Sequence, residues 1–246
     1  MDRNTFDLFA LVTLLVLAVV VPLFGTWDFR RMLRKIEEGQ ANARTSFYIW
    51  TLIWEWGLVL IFVGYWIAAG RDMAPLSLVP VASGWQWLAI GLGIAATVPI
   101  IWQMTSIIGS PQKLAGFCDE VSCLIEMAPG SAREVRLFNA VAITAGVCEE
   151  ILYRGVLLGI LTPIVGTWQA VALSSVIFGL GHTYQGGSGI AKSALVGLVM
   201  ALLTIFSGSL FVAMFLHATI DLTSGRILSA ARLVKPELPD RELQTS

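Results

Sequence analysis

The chain has 246 residues, of which 56% are hydrophobic and 13% are charged, and its mean hydropathy is +0.76. Ordinary soluble domains carry about 25% charged residues, so this composition indicates a membrane protein with several spans. The formal net charge of -1 excludes the concentrated basic surface that a nucleic-acid partner requires. Cys118, Cys123 and Cys148 form no CxxC pair, and we expect them to be free thiols.

Apolar segments follow one another along most of the chain. Because a bilayer core takes about 20 mostly apolar residues per helix, these segments predict an all-α, polytopic transmembrane helical bundle of about seven to eight spans. The first segment lacks a small-residue cleavage site, so we expect a retained anchor. An eighth or re-entrant element around 114–127 is left open. The seven predicted spans are 6–25, 47–69, 84–104, 137–161, 169–182, 189–206 and 208–224.

The segments predict one integral membrane domain over residues 1–246, with N-terminal spans in 1–110 and the polar motifs in 133–224. No internal repeat stands out in the sequence. The loop at 28–46 and the tail at 225–246 are the clearly polar segments, and both are too short to form a domain.

Basic residues predict the orientation of the bundle. Alternate threading of the seven spans puts thirteen Lys and Arg on one side and only Arg3 and Arg71 on the other. By the positive-inside rule the rich side is cytoplasmic, which places the N-terminus outside and the C-terminus inside. The thirteen are Arg30, Arg31, Arg34, Lys35, Arg44, Lys113, Arg133, Arg136, Lys192, Arg226, Arg232, Lys235 and Arg241.

A few ionisable side chains interrupt the predicted spans. Each unpaired charge in hydrocarbon costs about 2.5–3.5 kcal/mol on insertion scales, so such residues suggest a functional site. Residues four apart share one face of a helix. This spacing places three pairs on common faces: Glu150 with Arg154, Phe178 with His182, and His217 with Asp221. The ionisable residues are Glu55, Glu149, Glu150, Arg154, His182, His217 and Asp221.

Glu149 and Glu150 point about 100° apart on a helix, so they cannot serve the same partner. If Glu150 pairs with Arg154, Glu149 is free to face a cavity and to act as a general base. The alternative is a purely structural salt bridge with Glu149 capping a neighbouring helix. Each histidine alone also suits helix packing, since interhelical hydrogen bonds are common in membranes.

Two further residues carry competing interpretations. We expect Glu55 to be structural, paired within the bundle or with snorkelling partners. Cys148 adjoins Glu149, and a histidine-assisted thiol nucleophile is the alternative to a small buried side chain. Two histidines and a carboxylate are also a familiar zinc set, although the sequence contains no HExxH motif.

The motifs EExxxR (Glu149 to Arg154), FxxxH (Phe178 to His182) and HxxxD (His217 to Asp221) resemble, in this order, the CPBP family of intramembrane proteases, also called Abi or type II CAAX prenyl endopeptidase-like proteins. The resemblance covers roughly 133–224, which would be the catalytic core. It implies that Glu149 activates water with help from His182, that Glu150 and Arg154 support the site, and that His217 and Asp221 stabilise the oxyanion. The family's last motif often ends in Asn, so Asp221 would either be protonated or orient His217 as a hydrogen-bond acceptor while another donor serves the oxyanion.

The resemblance therefore implies a metal-independent glutamic endopeptidase that hydrolyses a membrane-associated peptide or protein, without a cofactor. Zinc-dependent proteolysis, proton-coupled transport and a non-enzymatic scaffold are the alternatives. We expect a bacterial inner membrane, with the endoplasmic reticulum as the alternative location, a lipid bilayer as surroundings and no nucleic-acid partner. The substrate, its prenylation and the oligomeric state are left open.

Overall fold

The computed structural model describes residues 7–78, 84–120 and 124–234, except for the side chains at 118–120. The predicted tail beyond Val234, Arg3 and Cys123 lie outside the described residues, as does the side chain of Cys118. Helices account for nearly all of the described chain, and no strand occurs within it. In chain order they are α1 (Leu8–Glu37), α2 (Ala43–Ala68), α3 (Gly84–Ile108), α4 (Pro111–Glu120), α5 (132–165), α6 (Thr167–Gly181), α7 (Gly186–Ser207) and α8 (Leu210–Val234).

The predicted all-α membrane bundle is confirmed. Within the described ranges, α1, α2, α3, α8 and the helical stretch Thr183–Ser207 that contains α7 are long and apolar enough to cross a membrane. Helix α5 has the length of a span but carries Glu149, Glu150 and Arg154 within its apolar stretch. Helix α6 is apolar and shorter, with 15 residues. The chain is thus an integral membrane protein, and each of the seven predicted segments falls on a helix.

The described parts of both predicted polar segments, 28–46 and 225–234, are mostly helical. Helix α1 continues to Glu37, so the connection to α2 is short rather than a loop over 28–46, and Phe29 and Met32 on the extension are buried. Helix α8 continues ten residues past the predicted end of the last span, because Ile227 and Ala231 pack against α3 and α4. Apolar residues at helical spacing, rather than overall polarity, decide these boundaries.

Helix α5 begins with a capping arrangement. The hydroxyl of Ser131 accepts a hydrogen bond from the Glu134 backbone N–H at 3.2 Å, and a carboxylate oxygen of Glu134 accepts one from the Gly130 N–H at 2.7 Å. These contacts satisfy donors that a helix start leaves without partners. The helix then runs as an α-helix over Ala132–Glu150, as a π-helix over Ile151–Leu157 and again as an α-helix over Leu158–Val165.

Helix α5 packs between α2 and α8, while α6 packs closely along α7. At the α5–α8 crossing, a Cβ atom added to Gly146 would lie 2.7 Å from the backbone nitrogen of Ala218. Small residues allow two membrane helices to approach this closely. The crossing therefore brings the residues just after Gly146 beside those just before Ala218.

The bundle has two polar ends. At one end the Arg44 guanidinium contacts Glu126, and Arg232 donates to the Ala128 carbonyl at 2.5 Å. At the other end Arg71 forms an ion pair with Asp7. This arrangement joins residues from distant parts of the chain and agrees with helices that alternate in direction through the membrane.

Candidate active site

The paired glutamates lie where α5 changes from α-helix to π-helix. Glu150 is the last residue of the α-helical part, and the wider π turns begin at Ile151. π segments are rare and occur often at functional sites. The two neighbouring side chains diverge: the Glu150 side chain is fully buried, whereas the Glu149 side chain keeps 22% of its exposure.

Glu150 and Arg154 form the ion pair that their spacing predicts. The Arg154 Nη1 donates to Glu150 Oε1 at 3.0 Å, and both side chains are completely buried. The second terminal nitrogen, Nη2, donates to the Gly197 carbonyl of α7 at 3.0 Å. The guanidinium also lies 4.2 Å from the ring centre of Phe178, a favourable cation–π distance. Arg154 thus ties α5 to both α6 and α7.

His217 joins α8 to the same carboxylate. Its Nδ1 lies 2.7 Å from Glu150 Oε1, and because a carboxylate only accepts hydrogen bonds, this nitrogen is the donor. Its Nε2 lies 3.7 Å from Glu149 Oε2 and 3.6 Å from Asp221 Oδ2. Both distances exceed a direct hydrogen bond. His217 is therefore held on one side by Glu150 and faces Glu149 and Asp221 on the other.

His182 lies at the C-terminal end of α6. Its Nδ1 is 3.0 Å from the Phe178 carbonyl, so Nδ1 donates and Nε2 remains for another partner. The His182 ring lies 4.9 Å from the Phe178 ring, which in turn lies 5.7 Å from the His217 ring. Phe178 therefore packs between the two histidines and fixes their positions.

A cavity of about 420 Å³ opens beside these residues. Glu149, His182, His217 and Asp221 line it, whereas the buried Glu150 and Arg154 do not. A second cavity of about 130 Å³ shares Glu149 and His182 with the first. The structure thus brings all six predicted site residues together and divides them into four that face the cavity and two that lie behind it.

Glu55 has a different setting from the paired one expected. It is 9% exposed, and one of its carboxylate oxygens is buried with no hydrogen-bond partner among the described residues. Glu55 lines both cavities, together with Glu149 and His182. Glu55 was not among the predicted site residues, although an ionisable side chain in the middle of a span indicates a functional site. Tyr184 and Lys192, which also line the larger cavity, carried no comparable signal.

Cys148 packs into the main apolar cluster with no exposed surface. Such a setting suits a small hydrophobic side chain and gives a thiol no access to a substrate. Within the described ranges, no group of three or more His, Cys, Asp or Glu side chains is arranged to hold a metal ion. His217 Nδ1 and His182 Nδ1 are already engaged by Glu150 and by a backbone carbonyl.

Comparison with known proteins supports the resemblance noted in the sequence. Residues 132–223 match the family model described as "Rce1-like: Type II CAAX prenyl endopeptidase Rce1-like". The match begins at the start of α5 and includes all six predicted site residues. The comparisons with curated proteins and with solved structures returned no match. Residues 132–223, less than half of the chain, are thus similar to the Rce1-like, type II CAAX prenyl endopeptidase family.

Proposed function

We propose that the protein is a metal-independent intramembrane endopeptidase in which Glu149 activates the attacking water. One observation carries the proposal: of two adjacent glutamates, Glu150 is occupied by Arg154 and His217, whereas Glu149 faces the cavity. One oxygen of each glutamate is buried with no hydrogen-bond partner among the described residues, but of the two residues Glu149 alone lines the cavity. A carboxylate in this position can accept a proton from water.

The proposed reaction begins when Glu149 takes one proton from a water molecule and the water oxygen bonds to the peptide carbonyl carbon. The carbonyl electron pair moves to oxygen and forms a tetrahedral oxyanion. The C–N bond then breaks, the carbonyl re-forms, and the proton held by Glu149 passes to the leaving amine with help from His182. The products are a carboxyl group and an amine, so the atoms of one water are accounted for.

We assign stabilisation of the oxyanion to His217. Its Nδ1 is held by Glu150, which directs Nε2 towards the cavity, where a protonated Nε2 would donate to the oxyanion. Asp221 lies 3.6 Å from this nitrogen, too far for a direct hydrogen bond, and its negative charge would orient and stabilise a protonated His217 ring. An ionised Asp221 would repel an oxyanion, so we give it this orienting role and no direct contact with the substrate.

Glu150 and Arg154 would support the site without touching the substrate. Both are fully buried behind the cavity, and their contacts reach α7 and α8. Hydrogen bonds of this kind hold catalytic groups in their productive positions. The pair thus positions His217 and keeps Glu149 as the glutamate available for chemistry.

The proposed substrate is a membrane-associated peptide or protein that reaches the cavity from the end of the bundle marked by Arg44 and Glu126. Phe47, Tyr48 and Met127, which lie near this end, line the larger cavity. We place this end in the cytoplasm, because most of the thirteen Lys and Arg residues that the predicted topology puts on one side of the membrane lie there. A bacterial inner membrane is the proposed location.

Purified protein and a library of membrane-anchored peptides provide the test. Glu149→Gln keeps the size of the side chain but removes the base, so cleavage per folded molecule should fall by about 10²–10⁴-fold. Cys148→Ala is the matched control at the adjacent position and should leave cleavage nearly unchanged. Wild-type cleavage by Glu149→Gln, or loss of cleavage in folded Cys148→Ala, would overturn the proposed mechanism.

A further inference from the structure

Glu55 is a buried acid that the six-residue site does not use. It lies in the middle of α2, which packs against α5, and it is 9% exposed. One of its carboxylate oxygens is buried without a hydrogen-bond partner among the described residues. A buried acceptor without a partner destabilises a folded protein, so its presence requires another reason.

A matched residue shows what a structural glutamate looks like in this fold. Glu134 is also 9% exposed, but its carboxylate accepts a hydrogen bond from the Gly130 N–H at 2.7 Å and so caps α5. Glu55 is equally buried and lacks an equivalent contact on its second oxygen. The two glutamates are therefore equally buried but differ in how well the described residues satisfy their carboxylates.

Glu55 and Glu149 belong to neighbouring helices and line shared space. Both residues line the larger cavity and the smaller one, as do His182 and Tyr184. The wall common to the two cavities thus carries two carboxylates, each with one buried oxygen that lacks a hydrogen-bond partner among the described residues. One carboxylate comes from α2 and the other from α5.

A water molecule has two O–H donors, and an ordered water in a protein makes about 2–4 hydrogen bonds. A general base engages only one of the two O–H groups. A second acceptor fixes the other, and this aims a lone pair of the water oxygen at the carbonyl carbon. Orienting a reactant in this way lowers the barrier without adding to substrate binding.

We propose that Glu55 is a positioning residue that holds the attacking water from α2, opposite Glu149. The inference rests on the proposed function and adds a residue outside the segment matched by the family model. Glu149 takes the proton, whereas Glu55 accepts the other O–H and takes no proton in the reaction. The role explains why a poorly satisfied carboxylate is retained in the middle of a span.

Two substitutions at Glu55 separate positioning from structural support. Glu55→Leu removes both carboxylate oxygens, so no unsatisfied acceptor stays buried and the melting temperature should be equal to that of the wild type or higher. Because the water loses its second acceptor, kcat should fall by about 10–100-fold. The KM should change by less than about twofold, because the water rather than the peptide loses its contact. Glu55→Gln keeps an acceptor oxygen and should recover most of the lost kcat.

Glu134→Leu is the control with the same burial. It removes a satisfied cap, so its melting temperature should fall while kcat per folded molecule stays at the wild-type value. The measurements are thermal unfolding and steady-state cleavage of one membrane-anchored peptide in the same detergent.

Three results would overturn the inference. A lower melting temperature with unchanged kcat in Glu55→Leu would make Glu55 structural, and a raised KM with unchanged kcat would make it a substrate contact. In both cases the proposed protease function would stand, because the wild-type protein still cleaves. Absence of cleavage by the wild-type protein across the peptide library would remove the proposed function and this inference together.

Discussion

The Nδ1 of His217 lies 2.7 Å from the Oε1 of Glu150, although 67 residues separate them in the chain. The same oxygen accepts a hydrogen bond from Arg154 at 3.0 Å. Glu150 therefore does more than neutralise a neighbour on its own helix: it fixes the histidine of α8 relative to α5. Loss of its charge should affect both the stability of the bundle and the geometry of the cavity.

Glu150→Gln should destabilise the protein strongly. The change leaves Arg154 buried without an ionic partner, a loss that typically costs about 3–5 kcal/mol in unfolding free energy. Cleavage should fall as well, because His217 loses its carboxylate acceptor. Chemical denaturation in one detergent, with cleavage measured per folded molecule, checks both effects.

Glu126→Gln provides the control for burial. Glu126 also lies 3.0 Å from an arginine, Arg44, but 40% of its side-chain surface is exposed. The Arg44 side chain is 12% exposed, but it also donates to the Glu126 backbone carbonyl, which the substitution keeps, so this variant should lose less stability than Glu150→Gln. Equal losses from Glu126→Gln and Glu150→Gln would contradict the interpretation that burial makes the Glu150 contact important.

Gly146→Ala should disturb the α5–α8 crossing. Its Cβ would lie 2.7 Å from the Ala218 backbone nitrogen and 2.8 Å from the Ala218 Cβ, so the helices must separate. Overpacking of this kind costs about 1–3 kcal/mol, and it should also lengthen the Glu150–His217 contact and reduce cleavage. Thermal unfolding and cleavage rate are the measurements.

The matched substitution is Gly57→Ala on α2, where an added Cβ meets nothing within 4 Å. Alanine has the higher helix propensity by about 1 kcal/mol, so this variant should be as stable as wild type or more so. If both alanine variants behaved alike, close approach at Gly146 could not be the cause of the effect.

Chelation separates the proposed mechanism from the zinc alternative. Activity should survive exhaustive treatment with a metal chelator, and active protein should contain far less than one zinc per chain. The expectation follows from a water activated by Glu149 rather than by a metal ion. Chelator-sensitive cleavage that zinc restores would replace the glutamate mechanism with a zinc-dependent one.

Cysteine labelling tests the proposed orientation. Met73 and Gln40 are exposed residues in connections at opposite ends of α2. A membrane-impermeant thiol reagent applied from outside should reach Met73→Cys but not Gln40→Cys in an otherwise cysteine-free chain. Labelling of Gln40→Cys alone would reverse the orientation and move the opening of the cavity to the outer face.

Local spacing predicted what lies within one helix. The apolar segments gave the helical bundle, and the four-residue spacing gave the Glu150–Arg154 pair at 3.0 Å. The ends of the helices were harder to predict from the sequence, because the burial of Phe29 and Ile227 depends on neighbouring helices rather than on hydropathy along the chain. Residue patterns therefore predict the helices and the residues that share a helix face.

Contacts between helices cannot be predicted from the spacing of residues within one helix. No spacing in the sequence indicates that Glu150 serves His217 as well as Arg154, since that contact depends on the close crossing at Gly146. Glu55 illustrates the same limit: its span was predicted, but the face it turns towards α5 depends on how the two helices pack. The π turns at Ile151–Leu157 also have no clear signature in residue type.

The Glu150–His217 contact has a consequence for biosynthesis. Helix α8 is made after α5, so a nascent chain that has released α5 into the membrane still lacks His217 and Asp221. During that interval Glu150 has only part of its final set of partners, and the cavity lacks one of its walls. Under the proposed function, an unfinished chain is therefore inactive, and neighbouring membrane proteins are protected from cleavage until synthesis has passed α8.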